Sequence, residues 1–151
     1  MYYFAYGSNM SLNRLKERDV RYIDKFLGHL QNYELIFNKV SSKRPSYGFA
    51  NVIPNKGSTV EGIIFKMEDG EISKLDKFEK YPRDYRRETS SVFSPKYNKY
   101  FKCVIYVAQP MYIKEDLIIP LNYIQYIVEG ARNNVSWSYY EKLLEYKKEA
   151  K

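Results

Sequence analysis

The chain has 151 residues, of which 44% are hydrophobic, and a formal net charge of +7 at pH 7. These values predict one globular domain with a full core and argue against a disordered chain. No apolar stretch approaches membrane-spanning length, and the first residues lack the basic leader and cleavage site of a secretion signal. We therefore expect a cytoplasmic protein. The positive charge suits an anionic ligand, but it also serves solubility alone.

Cysteine and histidine each occur once, as Cys103 and His29. A single cysteine allows no disulfide within the chain, which favours an intracellular location. A single histidine leaves a histidine metal cluster or a Ser-His-Asp relay without its partners. We therefore predict that the protein holds no metal, that His29 is structural, and that any catalysis uses carboxylates, tyrosines and backbone amides.

The first predicted strand, residues 1–6, ends in Gly7-Ser8-Asn9 and runs directly into a predicted helix over residues 11–18. Gly7 lets the backbone turn and approach a ligand closely, and Ser8 and Asn9 are residues that cap helices. Free amides at such a turn bind anions, for example a substrate carboxylate. The same tripeptide also forms ordinary turns, so this segment alone leaves both interpretations open.

Five further strands are predicted from short runs of aromatic and β-branched residues bounded by turns. They cover residues 33–38, 48–53, 60–67, 89–93 and 102–108. Helical periodicity predicts three more helices, over residues 71–80, 120–132 and 138–148. In the last of them, Ser138 followed by Glu141 is a capping-box signature. This order of elements predicts an α+β fold whose strands form a barrel or a sandwich.

The predicted helix over residues 71–80 carries an acid on its apolar face. At about 100° per residue, Glu79 lies between Ile72 and Leu75 on the helix surface. A carboxylate there loses water and needs a partner, and burial raises its pKa toward that of a general base and acid. Glu79 is therefore a candidate catalytic residue, whereas Asp76 is expected to be solvated among lysines. The alternative is a structural Glu79 paired with a nearby arginine: Arg83, Arg86 or Arg87.

Two segments resemble the paired signatures of the γ-glutamylcyclotransferase family. The first is Tyr6-Gly7-Ser8-Asn9-Met10, and the second, later in the chain, is Leu75-Asp76-Lys77-Phe78-Glu79. Met10 stands where the family commonly has leucine, and the segment 81–84 falls where family members differ. The resemblance spans nearly the whole chain, because it also includes residues 48–53, 60–65, 120–123, 130–131 and 139–143.

The resemblance implies an α+β fold with a small mixed β-barrel flanked by helices, in which the Tyr-Gly-Ser-Asn loop and the acidic helix face each other across a pocket. It implies conversion of a γ-glutamyl-amino acid or γ-glutamyl-amine into 5-oxoproline and the free amine, without a cofactor. Glu79 would act as general base and then as general acid. The implied substrate-binding residues are Tyr3, Phe4, Ala5, Tyr6, Gly7, Ser8, Asn9, Tyr85 and Tyr123.

Other functions stay open from the sequence. One is a specialised cyclotransferase that acts on a biosynthetic γ-glutamyl conjugate. Another is a binding module for single-stranded nucleic acid, since seventeen tyrosines and eight phenylalanines accompany basic clusters at residues 43–44, 83–87 and 96–102. We favour tyrosine-rich strands under a lysine-rich surface, with a small-molecule partner and neither nucleic acid nor membrane. A homodimer built on exposed aromatic residues is a further alternative.

Overall fold

The strands close into a five-stranded barrel in the computed structural model, which describes residues 1–151. The barrel order is β1-β3-β2-β4-β5, and the ring closes because β1 pairs with β3 antiparallel and with β5 in parallel. The predicted fold class, α+β with a small mixed β-barrel flanked by helices, is confirmed. The strands are β1 (Tyr2–Ala5), β2 (Asp24–Val40), β3 (Gly48–Lys66), β4 (Tyr85–Ser94) and β5 (Lys99–Ala108).

Four α-helices flank the barrel, and each lies within one residue of its predicted ends. They are α1 (Leu12–Glu17), α2 (Ile72–Glu79), α3 (Leu121–Ala131) and α4 (Trp137–Glu149). Short 3-10 turns precede α1 and α2, at Ser8–Met10 and Asp69–Glu71, and a third lies at Pro110–Tyr112. None of these helices is long and apolar enough to cross a membrane.

The strand prediction was wrong in number, because residues 48–53 and 60–67 belong to one strand, β3. Strand β2 pairs with β3 from Asp24–Lys66 to Val40–Gly48, on both sides of a register shift between Gln31 and Tyr33 that leaves residues 55–58 of β3 without a β2 partner. The first half of β2 was missed because Gly28 interrupts its apolar alternation. A Cβ on Gly28 would lie 2.7 Å from Ile64 and 2.8 Å from Val92, so glycine lets these side chains pack across the strand.

Helix α3 fixes the position of the loop that follows β1. The apolar stripe of α3 is buried, with Ile124 and Ile127 fully inaccessible to solvent. A Cβ on Gly130 would lie 2.2 to 2.5 Å from the backbone of Met10 and Ser11. Because no side chain fits there, Gly130 allows the helix backbone to contact the loop directly. The late helix thereby holds the first turn of the chain against the barrel.

Helix α4 begins at a different cap from the one predicted. Its N-cap is Ser136, whose Oγ accepts a hydrogen bond from the Tyr139 N–H at 3.4 Å, so the Ser138 and Glu141 capping box is wrong. The N–H and hydroxyl of Ser136 also donate to the Glu61 carboxylate on β3, at 2.8 and 2.6 Å. This contact from the barrel selects the serine that starts the helix.

Candidate active site

A cavity of about 260 Å³ opens between the loop after β1, the end of α2 and one end of the barrel. It brings together most of the residues predicted for the site: Tyr3, Tyr6, Gly7, Ser8, Asn9, Glu79, Tyr85 and Tyr123. Phe4 and Ala5 do not reach its wall. Both are fully buried in the core: Phe4 points to the opposite face of β1 from Tyr3, with its ring beside Gly62, and the side chain of Ala5 is a single methyl group.

The loop places the Asn9 side chain at the centre of a hydrogen-bond network. The N–H groups of Met10 and Ser11 donate to the carbonyls of Gly7 and Ser8, at 3.0 and 3.1 Å, which forms the turn. The Asn9 amide Nδ2 then donates to the Tyr3 hydroxyl at 3.0 Å and to Glu79 Oε1 at 3.1 Å. A residue of the loop thus binds the acid of α2 directly.

Glu79 is the last residue of α2, and Lys80 ends the helix in a left-handed conformation, with φ of 52°. As predicted, it shares a face with Ile72 and Leu75, and its side chain is only 18% exposed. Its Oε1 is held by Asn9 and lies 3.5 Å from Arg18 Nη1, whereas its Oε2 has no hydrogen-bond partner in the protein. One carboxylate oxygen is therefore fixed and the other is free.

Burial raises the pKa of Glu79 above its ordinary value, because an ionised carboxylate loses solvation in the cavity wall. The Arg18 guanidinium and the Asn9 hydrogen bond lower the pKa, but they offset only part of the effect of burial. Arg18 is itself oriented by a 2.8 Å hydrogen bond from its Nη1 to Asn9 Oδ1. A carboxyl with a raised pKa and a nearby cation is suited to accept and return a proton near neutral pH.

Arg18 was missed by the sequence analysis, which sought a partner for Glu79 among the arginines that follow it. Those arginines bind elsewhere: Arg87 pairs with Asp76, and Arg83 pairs with Asp84. A local signal for Arg18 existed, because Arg14 and Arg18 are four residues apart on the helix next to the loop and so share one face. Its pairing with an acid 61 positions away, from 18 to 79, depended on tertiary structure.

Asp76 is not solvated, contrary to expectation. Its Oδ1 accepts hydrogen bonds from the Tyr106 hydroxyl at 2.7 Å and from Arg87 Nε at 3.0 Å. Its second oxygen pairs with the other arm of the Arg87 guanidinium. This bidentate pair occupies the carboxylate and joins α2 to strands β4 and β5.

Tyr85 and Tyr123 hold the backbone of Ala50 from two sides. The register of β2 and β3 shifts between Ile36 and Lys39, so the ladder skips this point of β3. The Tyr123 hydroxyl accepts the Ala50 N–H at 3.0 Å, and the Tyr85 hydroxyl donates to the Ala50 carbonyl at 2.8 Å. Both tyrosines therefore line the cavity and also stabilise its floor.

A buried ion pair forms another part of the wall that sequence reasoning did not find. Lys39 Nζ lies 2.7 Å from Asp84 Oδ2, and their side chains are 4% and 0% exposed. Burial alone would raise the pKa of Asp84, but hydrogen bonds from Lys39 and Arg83 outweigh it and lower the pKa. The only signal in the sequence is a lysine two residues after the apolar run Leu35-Ile36-Phe37.

No three side chains among histidine, cysteine, aspartate and glutamate lie together in a group that could hold a metal ion. Cys103 is buried in β5, where burial raises the pKa of its thiol to about 12. His29 lies in β2 and is not part of the cavity wall. The groups in the cavity wall are the carboxylates of Glu79 and Asp84, tyrosines, cations and backbone amides, and of the two carboxylates Asp84 is occupied by its ion pairs.

Comparison with known proteins identifies the family. The sequence model of the family described as gamma-glutamyl cyclotransferase, AIG2-like, matches residues 3–125. The chain belongs to this family. The match includes both the loop after β1 and the helix that carries Glu79. As a member of the gamma-glutamyl cyclotransferase, AIG2-like family, the chain shares its fold with solved relatives.

Gamma-glutamylcyclotransferases from cattle and from human are among the relatives. They are 32% and 30% identical to the chain over 80 residues, which is 51% of this chain and 43% of each relative. The aligned part thus spans less than half the length of these relatives. A solved gamma-glutamyl cyclotransferase superposes with a TM-score of 0.80 at 25% identity, covering 95% of this chain and 85% of its own. YkqA from Bacillus subtilis superposes with a TM-score of 0.85 at 26% identity, covering 99% and 55%.

Proposed function

We propose that this protein is a γ-glutamylcyclotransferase, an enzyme that converts a γ-glutamyl-amino acid or γ-glutamyl-amine into 5-oxoproline and the free amine. The observation that carries the proposal is the arrangement of Glu79. One oxygen is bound by Asn9 of the loop, and the other has no protein partner. Family membership supports the same reaction. The catalytic role of Glu79 and the binding roles of the loop residues are parts of this proposal.

The reaction begins with a proton transfer to Glu79. Its carboxylate takes a proton from the substrate α-ammonium, and the resulting amine attacks the γ-carbonyl carbon of the same molecule. A carbon–nitrogen bond forms, and the carbonyl π-electrons move to the oxygen. When the tetrahedral intermediate collapses, the bond to the leaving nitrogen breaks and protonated Glu79 donates its proton to that nitrogen. The carboxylate then takes the second proton from the attacking nitrogen, which becomes the lactam N–H, and passes it to the released amine, which leaves as an ammonium. Glu79 thereby returns to its ionised state.

The loop contributes positioning and charge stabilisation. Gly7 lines the cavity, and its N–H makes no hydrogen bond within the protein, so it is available to the substrate carboxylate or to the developing oxyanion. A Cβ at Gly7 would lie 3.4 Å from both Ala50 and the Tyr123 hydroxyl, and would take space from a ligand at this point. Because attack is intramolecular, holding the substrate folded supplies on the order of several kcal/mol of the barrier.

Glu79→Gln tests the proposal, because glutamine keeps the shape of the side chain but cannot carry the proton. Purified protein is incubated with a panel of γ-glutamyl dipeptides and γ-glutamyl-lysine, and 5-oxoproline is measured by mass spectrometry. We expect turnover to fall by a factor on the order of 10² to 10⁴ or more, with substrate binding and fold retained. Glu145→Gln, an identical change on the exposed surface of α4, is the control. Full activity of Glu79→Gln would rule out the proposed role.

Tyr123→Phe gives a second test of the site. The change removes the hydroxyl that accepts the Ala50 N–H, so we expect binding or turnover to weaken about two- to tenfold. The melting temperature of the variant, measured alongside, separates a loss of the site from a loss of the fold. Unchanged binding and turnover would remove Tyr123 from the substrate site.

We expect a small-molecule partner in place of nucleic acid, because tyrosines line the cavity beside Glu79. The tyrosines at the basic hairpin between β4 and β5 pack against other rings. Tyr97 lies edge-on to Phe26 at 5.0 Å, and Tyr100 lies edge-on to Phe93 at 5.2 Å. Tyr97 and Tyr100 are still 44% and 56% exposed, so their capacity to stack on single strands is tested directly. A gel shift with single-stranded DNA or RNA at physiological ionic strength is expected to show no steep salt-dependent complex.

A further inference from the structure

A second cavity adjoins the candidate active site, and its wall contains cations without acids. It has a volume of about 240 Å³. Arg14, Lys43 and Tyr123 belong to the walls of both cavities, so the two are neighbours along this border. The outer wall includes Arg44, Tyr47 and Tyr126. We call this cavity, whose wall includes these six residues, the basic groove.

The cations of the basic groove have no carboxylate partners. Arg14, Lys43 and Arg44 form none of the salt bridges of the protein. The Arg14 guanidinium lies over the Tyr126 ring at 4.4 Å, and its Nε is buried without a hydrogen-bond partner. The Arg44 guanidinium lies over the Tyr47 ring at 3.8 Å. The aromatic rings orient these cations but do not neutralise them.

The cations nearer the acid are neutralised, in contrast. Arg18 pairs with Glu79, and Lys39 pairs with Asp84. Unpaired positive charge is therefore concentrated along the border and outer wall, in Arg14, Lys43 and Arg44. Lys80, whose Nζ donates only to the Ser42 hydroxyl at 2.6 Å, adds a further cation to the active-site wall. An anion entering here meets cations that no protein acid competes for.

We infer that the basic groove binds the leaving half of the substrate, and that this half is an amine with two or more carboxylates, such as an acidic amino acid or a short acidic peptide. The inference rests on the proposed function. The γ-glutamyl half has one α-carboxylate and one α-ammonium and brings no net charge, so it leaves the groove cations unneutralised. A leaving half with a single carboxylate leaves most of the groove cations unpaired, whereas a second carboxylate can pair with a further cation.

The test compares three substrates whose leaving amines differ in charge: γ-glutamyl-glutamate, γ-glutamyl-alanine and γ-glutamyl-methylamide. We expect kcat/KM to be highest for the glutamate compound, about fivefold above the alanine compound, and lowest for the methylamide. In the double variant Lys43→Gln/Arg44→Gln, kcat/KM for γ-glutamyl-glutamate is expected to fall about tenfold, and that for the methylamide less than about twofold. Added salt should reduce the preference, since screening weakens exposed pairs.

The matched control is Lys56→Gln/Lys102→Gln, which removes the same charge from exposed positions that line neither cavity. It is expected to behave like the wild type. Equal kcat/KM for the three substrates, or an equal loss on all three in the groove variant, would overturn the inference while leaving the proposed reaction intact.

Absence of turnover on the whole panel would instead contradict the proposed function. In that case the inference is tested without turnover, by calorimetry of γ-glutamyl-glutamate and γ-glutamyl-methylamide binding to the Glu79→Gln variant. Tighter binding of γ-glutamyl-glutamate than of the methylamide, lost when Lys43→Gln/Arg44→Gln is added, supports it. Equal binding of the two compounds refutes it.

Discussion

Replacing Arg18 by glutamine tests how the structure sets the proton affinity of Glu79. The Arg18 Nη1 lies 3.5 Å from Glu79 Oε1, and the two side chains are 11% and 18% exposed. At this distance, an effective dielectric constant between about 80 and 20 gives an attraction of roughly 1 to 5 kcal/mol. Because water still reaches both groups, we take the lower end of this range. The ionised fraction of Glu79 at a fixed acidic pH should then fall about tenfold in the variant.

The assay is the pH dependence of kcat/KM for 5-oxoproline formation. Removing the cation raises the pKa of Glu79 further, so the acidic limb of the profile should move to higher pH by about one unit, with the plateau above it largely retained. Carboxyl NMR of labelled glutamate follows the same ionisation without substrate. Lys16→Gln, which removes an exposed cation from the same helix, is the control and should leave the limb in place.

Two results would refute this reasoning. An acidic limb that stays in place, or that moves to lower pH, would show that Arg18 does not set the ionisation of Glu79. A loss of kcat/KM that is equal at every pH would show that Arg18 acts on the substrate and leaves the base unchanged.

Three further predictions concern the structure around the site. Lys39→Met leaves the buried Asp84 carboxylate with Arg83 alone and should lower the free energy of unfolding in urea by about 3 to 5 kcal/mol, a much larger loss than that caused by Arg83→Gln at the exposed partner; equal losses would contradict the burial of the pair. Gly130→Ala places a methyl group 2.2 Å from the backbone of Met10 and should cost about 1 to 3 kcal/mol, so wild-type stability would contradict this packing. The pKa of Glu79 is raised in the folded state, so ionisation of Glu79 opposes folding. The stability of the wild type relative to Glu79→Gln should therefore be greatest at a pH below the unfolded-state pKa of Glu79. This advantage should be lost as the pH rises through the folded-state pKa. Unfolding free energies at about pH 4 and pH 8 measure this difference, and a difference that grows with pH would contradict it.

The candidate acid was accessible from the sequence because helix periodicity is a local property. The spacing of Ile72, Leu75 and Glu79 places all three side chains on one face whatever surrounds the helix. The turn residues Gly7-Ser8-Asn9 likewise predict the end of a strand and the start of a helix. Where the sequence analysis went wrong, with Asp76 and with the partner of Glu79, the missing information was which distant side chain lies opposite.

The strands, too, were predicted only in part from local sequence. Local composition indicated most of the extended segments, but it divided β3 in two and missed the first half of β2. Both errors concern pairing across the sheet: residues 24–31 of β2 pair with residues 59–66 of β3, and residues 33–40 pair with residues 48–54, so two strands contain all four segments.

Local patterns along the chain thus predicted the helix ends to within one residue, the acid on the apolar face of α2 and the loop that contacts this acid, because these features depend on the period and chemistry of neighbouring residues. Three features depend on tertiary contacts: the closure of the barrel, the pairing of Arg18 with Glu79 and of Lys39 with Asp84, and the border between the active site and the basic groove. These contacts join residues far apart along the chain, and they form only because the barrel and α3 together offset the entropy of bringing such segments into contact.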